Sequence, residues 1–252
     1  MAISVKKIEE KDNAGWYLVN GVSPVFLNAI RRSIMQHTVC LAIEDVTIFE
    51  NDSVMFDEMI AHRLGLLPVK TDKTYKLGDK VKMVLEKEGA CTVYSKDIKS
   101  TDPKIEVLDK NIPITRLLKG QKLRIEMQAV AMTGKEHAKW QPAVVGYREV
   151  PSLEISKECN GCELCVKECP LGILESKGKK ISLEEPMKCS LCGACVDACP
   201  KGAIELSFDK NSFIFMIEPI AGLTAKEAVA GAVKSLGEKI EEFSKAVEKA
   251  KE

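Results

Sequence analysis

Eight of the ten cysteines fall in two runs, CNGCELCVKECP beginning at Cys159 and CSLCGACVDACP beginning at Cys189. Each run is C-x2-C-x2-C-x3-C-P, a spacing that holds iron–sulfur clusters. Three closely spaced thiolates reach three corners of one iron–sulfur cube. The fourth, displaced and followed by proline, ligates the other cluster. This assigns Cys159, Cys162, Cys165 and Cys199 to one 4Fe-4S cluster, and Cys189, Cys192, Cys195 and Cys169 to a second. Thiolates are soft ligands and suit iron. A pair of zinc sites is the blander alternative, since zinc also takes four cysteines; two full runs, each closed by Cys-Pro, favour iron. Both runs keep all four ligands, so the expected cofactors are two complete 4Fe-4S clusters. The small residues Gly161, Gly193 and Ala194 leave space for the backbone to approach the sulfides.

The runs form an internal repeat. ECNGCELCVKECPLGILE aligns with KCSLCGACVDACPKGAIE, matching four Cys, a Val, a Pro, a Gly and a final Glu. Between them SKGKKISLEEPMK reads as polar and turn-like. The block has few large apolar residues, so metal ligation must supply much of its stability whatever its redox behaviour.

A redox enzyme should carry a second redox partner, and this sequence shows none. There is no G-x-G-x-x-G, no P-loop and no C-x-x-C-H haem attachment. His37, His62 and His137 are isolated, and acid pairs such as Glu44-Asp45 and Asp57-Glu58 come with no assembled nucleophile, base and orienter. No catalytic residue is assigned. Lys plus Arg and Asp plus Glu both number 37, a balance that argues against gripping nucleic acid as the main task. No long apolar run spans a membrane and MAISVKKIEEKD lacks an apolar signal core, so a cytoplasmic chain is expected. There, regular C-x-x-C spacing means metal rather than disulfides.

The elements that must position these residues follow from periodicity. ISVKKIEE and GWYLVNG read as a strand pair. In VSPVFLNAIRRSIMQHT, Ser23 can cap and Pro24 fits the first turn of a helix whose apolar stripe is Val22, Phe26, Ile30 and Ile34. VCLAIEDVTIFEN reads as strand, and DEMIAHRL as a short helix stopping at Gly65. Residues 75–131 alternate as antiparallel strands, and SFIFMIEPI is a further strand. The final segment is a long helix with a Thr224–Glu227 capping box. On it Val229, Val233, Leu236, Ile240, Phe243 and Val247 form one narrow seam, which either packs within the chain or lies at a subunit interface.

The stretch LNAIRRSIMQHTVCLAIEDVTIFENDSVMFDEMIAHRLGLLPV, residues 27–69, resembles the family of the D-type subunit of archaeal RNA polymerase. It is similar also to the eukaryotic counterpart and, more distantly, to the bacterial alpha subunit. The carrying elements are Asn28-Ala29-Ile30-Arg31-Arg32, Asn51-Asp52-Ser53, Asp57-Glu58 and Ala61-His62-Arg63-Leu64-Gly65-Leu66-Leu67-Pro68. FIFMIEPIAGLTAKEAV, residues 213–229, fits the same family's return strand and helix.

The resemblance implies an α+β architecture. Residues 1–42 and 208–252 would form a discontinuous α/β dimerisation domain, 43–151 a β-rich insert domain, and 152–207 a ferredoxin-like module with two iron–sulfur clusters. It also implies an assembly role in DNA-directed RNA polymerase. The partners would be subunit L in a heterodimer, the large subunits and the small zinc-binding subunits. DNA would be met only through the whole complex, no membrane is implied, and the catalytic magnesium site would belong to the largest subunit. Phe26, Ile30, Val233, Leu236, Ile240 and Phe243 would face partners. Arg31 and Arg32 would reach a large subunit or form a solvated helix face; Asp57, Glu58, His62 and Arg63 would contact partners or cap the insert domain. A ferredoxin-like electron-transfer subunit of an oxidoreductase is the competing reading, but it leaves most of the chain without a role.

Overall fold

The structure, a computed structural model, describes residues 2–178 and 180–250. In chain order the strands and helices are β1 (Ser4–Lys11), β2 (Ala14–Asn20), α1 (Pro24–His37), β3 (Val39–Asn51), α2 (Asp57–Gly65), β4 (Lys80–Glu88), β5 (Cys91–Tyr94), β6 (Ile98–Ser100), β7 (Pro113–Leu117), β8 (Lys122–Thr133), β9 (Ala143–Ile155), α3 (Leu164–Glu168), β10 (Leu174–Lys177), β11 (Lys180–Leu183), α4 (Ala194–Asp197), β12 (Ile204–Pro219) and α5 (Ala225–Lys249). They form two units. One takes the chain up to Leu27 together with Gly146–Met216; the other takes Asn28–Val145 and the chain from Ile217 onward.

In the first unit β1 and β2 pair antiparallel from Ser4↔Asn20 to Lys11↔Ala14. The turn is Asp12-Asn13, with φ of 49° and 71°. Those two residue types tolerate left-handed backbone, as a tight hairpin of this hand requires. The sheet order is β1-β2-β12-β9. Every residue of β1 is exposed, and Lys6, Lys7, Glu9, Glu10 and Lys11 supply the charges that discourage pairing at a free edge.

The second unit is built on a sheet of order β3-β8-β4-β6, with β5 and β7 forming a separate antiparallel pair. Alternation sets its faces: in β4, Val81, Met83 and Leu85 are buried while Lys80 and Lys82 are exposed. α2 adds Ile60 and Leu64, both wholly buried, to the same core. The Asn51-Asp52-Ser53 motif has a local task here. Asn51 Oδ1 accepts from Ser53 Oγ at 2.7 Å, and Asn51 Nδ2 donates to the Asp57 carboxylate at 2.6 Å. Asp52 Oδ2 accepts from the Lys122 amide at 2.9 Å. The motif thus knits the loop entering α2 to the start of β8.

α1 begins as its sequence predicts, with the Phe26 amide donating to Ser23 Oγ at 3.2 Å. α5 packs on α1 through small residues: Ser33 Oγ donates to the Ala232 carbonyl at 2.9 Å, and Ala228 and Ala232 are wholly buried. The capping box forms, Thr224 Oγ1 accepting from the Glu227 amide at 3.3 Å and the Glu227 carboxylate from the Thr224 amide at 2.8 Å. Lys73 beside it, with the Thr224 amide, holds the Glu227 carboxyl down at about 2. Thr224→Ala is expected to cost about 1 kcal/mol, read as a lower denaturation midpoint at unchanged slope. Since the folded Glu227 value lies below its ordinary 4.5, its contribution is complete above 4.5 and lost as pH falls through about 2; Glu227→Gln should flatten stability across that window.

Two elements depart from sequence expectation. The linker between the cysteine runs is not only a turn, because β10 and β11 pair from Leu174↔Leu183 to Lys177↔Lys180. The return strand starts earlier than SFIFMIEPI, at Ile204. No helix among the described residues is long and apolar enough to cross a membrane.

Candidate metal centre

The repeat seen in the cysteine spacing is also a repeat of backbone. Each run opens as a loop and closes in one short helix, α3 or α4. Gly161 and Leu191, at equivalent positions, both take left-handed φ, 73° and 59°; so do Glu163 and Gly193, at 61° and 80°. A Cβ on Gly193 would meet nothing within 4 Å, so its glycine is explained by backbone hand. After each Cys-Pro comes a matching turn. The Gly172 amide donates to the Cys169 carbonyl at 3.1 Å and the Gly202 amide to the Cys199 carbonyl at 3.0 Å, both glycines being left-handed.

These loops surround two cavities. One is lined by Cys159, Cys162, Cys165 and Cys199. The other is lined by Cys169, Cys189, Cys192 and Cys195. Each set takes three thiols from one run and the fourth from the other. Cys165, Leu174, Ile181 and Ile204 form a small apolar core in the same module. The β10–β11 hairpin supplies two of these four.

The donor set suits an iron–sulfur cube: four soft thiols stand around each space. Among the described residues no three His, Cys, Asp or Glu side chains converge tightly enough for one metal ion. Burial pushes the Cys165 and Cys195 thiols up. Burial would raise Cys169 too, but the amides of Ile173, Leu171, Gly172 and Leu174 together hold it below the ordinary thiol value. Cys199 Sγ accepts from the Ala203 amide at 3.3 Å. The turn after each Cys-Pro therefore aims N–H groups at the fourth sulfur, and at Cys169 this favours the thiolate. Cys40, in neither run, donates to the Trp140 carbonyl at 2.8 Å and is pushed up to about 12 by burial, an inert core thiol.

The residues expected to meet partners fall into two groups. Phe26, Val233, Ile240 and Phe243 are exposed, Phe243 at 71%, while Leu236 is half-buried and Ile30 is buried within the chain. From Gly237 to Lys249 every residue of α5 is exposed. That is about 20 Å of helix carrying an uncovered apolar seam. Half of the second group is tied down locally. Arg31 donates twice to Asn28 Oδ1, at 3.2 and 3.1 Å, along its own helix, and Arg63 donates to the Pro113 carbonyl. Asp57 holds Asn51, while Arg32, Glu58 and His62 are exposed.

The chain thus joins a discontinuous β-rich unit to a module with two four-cysteine cavities. Residues 46–146 match the family described as the RNA polymerase Rpb3/RpoA insert domain, and residues 158–204 match a 4Fe-4S dicluster domain. The chain is 39% identical over 260 residues to DNA-directed RNA polymerase subunit Rpo3 of Methanosarcina acetivorans, covering 96% of this chain and 97% of that one. It is 35% identical over 262 residues to the Archaeoglobus fulgidus subunit Rpo3, covering 98% and 99%. With Rpo3 of Methanothermobacter thermautotrophicus it shares 35% identity over 258 residues, covering 96% and 97%. The chain belongs to the Rpo3 family of archaeal DNA-directed RNA polymerase subunits, as an assembly subunit and not a catalytic one.

Proposed function

We propose that this chain pairs with the small polymerase subunit L through α1 and α5, and that the pair is the platform on which the large subunits and the small zinc-binding subunits collect. The observation that carries the pairing is the seam of α5: Val233, Ile240, Phe243 and Val247 are all exposed in the isolated chain. An apolar stripe of this spacing on a long helix is the form a partner helix covers. The dimerisation domain would be residues 1–42 with 208–252, the insert domain 43–151 and the ferredoxin-like module 152–207. Arg32, Glu58 and His62, exposed on two helices, are the polar side chains of this group that stand open to meet the larger subunits.

The same reading gives the module two 4Fe-4S clusters, one on Cys159, Cys162, Cys165 and Cys199 and one on Cys189, Cys192, Cys195 and Cys169. The cavities lined by these two sets support it. When bound, such clusters supply covalent cross-bracing and one-electron redox capacity; their role here is mainly structural, because the core they join is small. A tagged chain purified from its native host should bring down subunit L and the large subunits. A preparation that contains the chain and its iron but neither partner would overturn the assembly platform and favour an electron carrier.

A further inference from the structure

The two cysteine runs are alike in backbone but not in what holds them. Arg148 of β9 donates from Nη1 to the Cys189 carbonyl and from Nη2 to the Met187 carbonyl. Its half-buried guanidinium thus forks onto the 3-10 turn Pro186–Lys188, which delivers Cys189 to the second cavity. At the matching place in the first run the anchors are backbone bonds and one serine hydroxyl: the Cys159 amide donates to the Ser156 carbonyl at 3.3 Å, the Glu158 amide to Ser156 Oγ at 3.4 Å, and the Ser156 amide to the Ala203 carbonyl at 2.8 Å. Among the described residues, no other cationic side chain is bonded to a carbonyl of either run. The walls differ as well. Glu163 and Lys201 line the first cavity, whereas the second is lined by Leu153, Leu171, Leu183 and Leu206 among uncharged neighbours.

We infer that Arg148 is a positioning residue for the second iron–sulfur site, locking the Cys189 loop to the sheet and lending that cluster a cation with no carboxylate beside it in the wall, whereas the wall of the first site holds both Lys201 and Glu163. The inference rests on the assignment of a cluster to each cavity. Its physics has two separable parts. A planar guanidinium can serve two carbonyls at once, and lysine cannot match that fork. The positive charge favours the more negative, reduced form of a nearby cluster, and it acts through an apolar wall where screening is weak.

The test uses the full chain loaded with iron and sulfide under anaerobic conditions. Each cluster takes one electron from dithionite in a potentiometric titration followed by electron paramagnetic resonance. The wave lost in Cys192→Ala identifies the second cluster. In Arg148→Gln that wave should move to lower potential while the other stays, and half of the iron should pass to a chelator faster than in the wild type. Arg148→Lys should keep the wild-type potential but lose that half of the iron as fast as the Gln variant. Unmoved waves in Arg148→Gln, or two waves moving equally, would overturn the inference, and a Lys variant with the Gln potential would overturn its electrostatic part. A wild-type chain without two reducible clusters would instead remove the cluster assignment itself.

Discussion

A chain carrying Cys162→Ala together with Cys199→Ala will keep half of its iron, and one carrying Cys162→Ala with Cys169→Ala will lose nearly all of it. The two pairs differ only in which fourth cysteine is removed. Cys162 and Cys199 line one cavity, whereas Cys169 lines the other. Two changes at one site damage one site; their effects do not add, because they act on the same unit. If each run instead held its own cluster, the outcomes would be exchanged. Iron and sulfide analysis with electron paramagnetic resonance reads the result directly. The structural consequence should follow the iron. The module's own core is Cys165, Leu174, Ile181 and Ile204 with partly buried neighbours, too little to hold a loop-rich segment without its metal. Loss of both clusters should therefore open the module to protease, while pairing with subunit L survives, because α5 belongs to the other unit.

Where residue type alone dictates local structure, the sequence was readable. The capping box at Thr224 and Glu227 and the bounds of β3 and α2 follow from chemistry that acts over a few residues. Elements that depend on distant partners were not readable. β9 carries Pro151 in its middle and alternates weakly, both marks against a strand; the proline is tolerated because β9 is at the sheet edge. The β10–β11 hairpin is polar outside and short, and only its packing in the cysteine module makes Leu174 and Ile181 core residues. Arg148 has no spacing relation to either run, so its fork onto Met187 and Cys189 exists only once the sheet has formed. The stripe on α1 is the reverse case. It is a genuine stripe, but Ile30 and Ile34 are spent inside the chain, leaving Phe26 exposed.

The seam on α5 makes the second large prediction. Phe243→Asp, alone or with Ile240→Asp, should abolish pairing with subunit L without unfolding the chain. Phe243 is 71% exposed and Ile240 58%, so neither supports the fold from within. Surface changes of this kind usually alter stability by less than about 0.5 kcal/mol. A large aromatic at the centre of an interface carries far more, about 2–4 kcal/mol, which is roughly 30- to 1,000-fold in dissociation constant. A carboxylate there adds the cost of burying an unpaired charge. Analytical ultracentrifugation with purified subunit L would show the loss, and circular dichroism would show an unchanged fold. Two controls separate this from helix damage. Glu242→Lys lies off the seam and should pair normally. Ala228→Asp lies on the covered face of the same helix, where the side chain is wholly buried, and should unfold the chain whether or not subunit L is present. If Phe243→Asp paired as well as the wild type, the uncovered seam would not be the pairing surface, and the proposed pairing through α5 would be overturned.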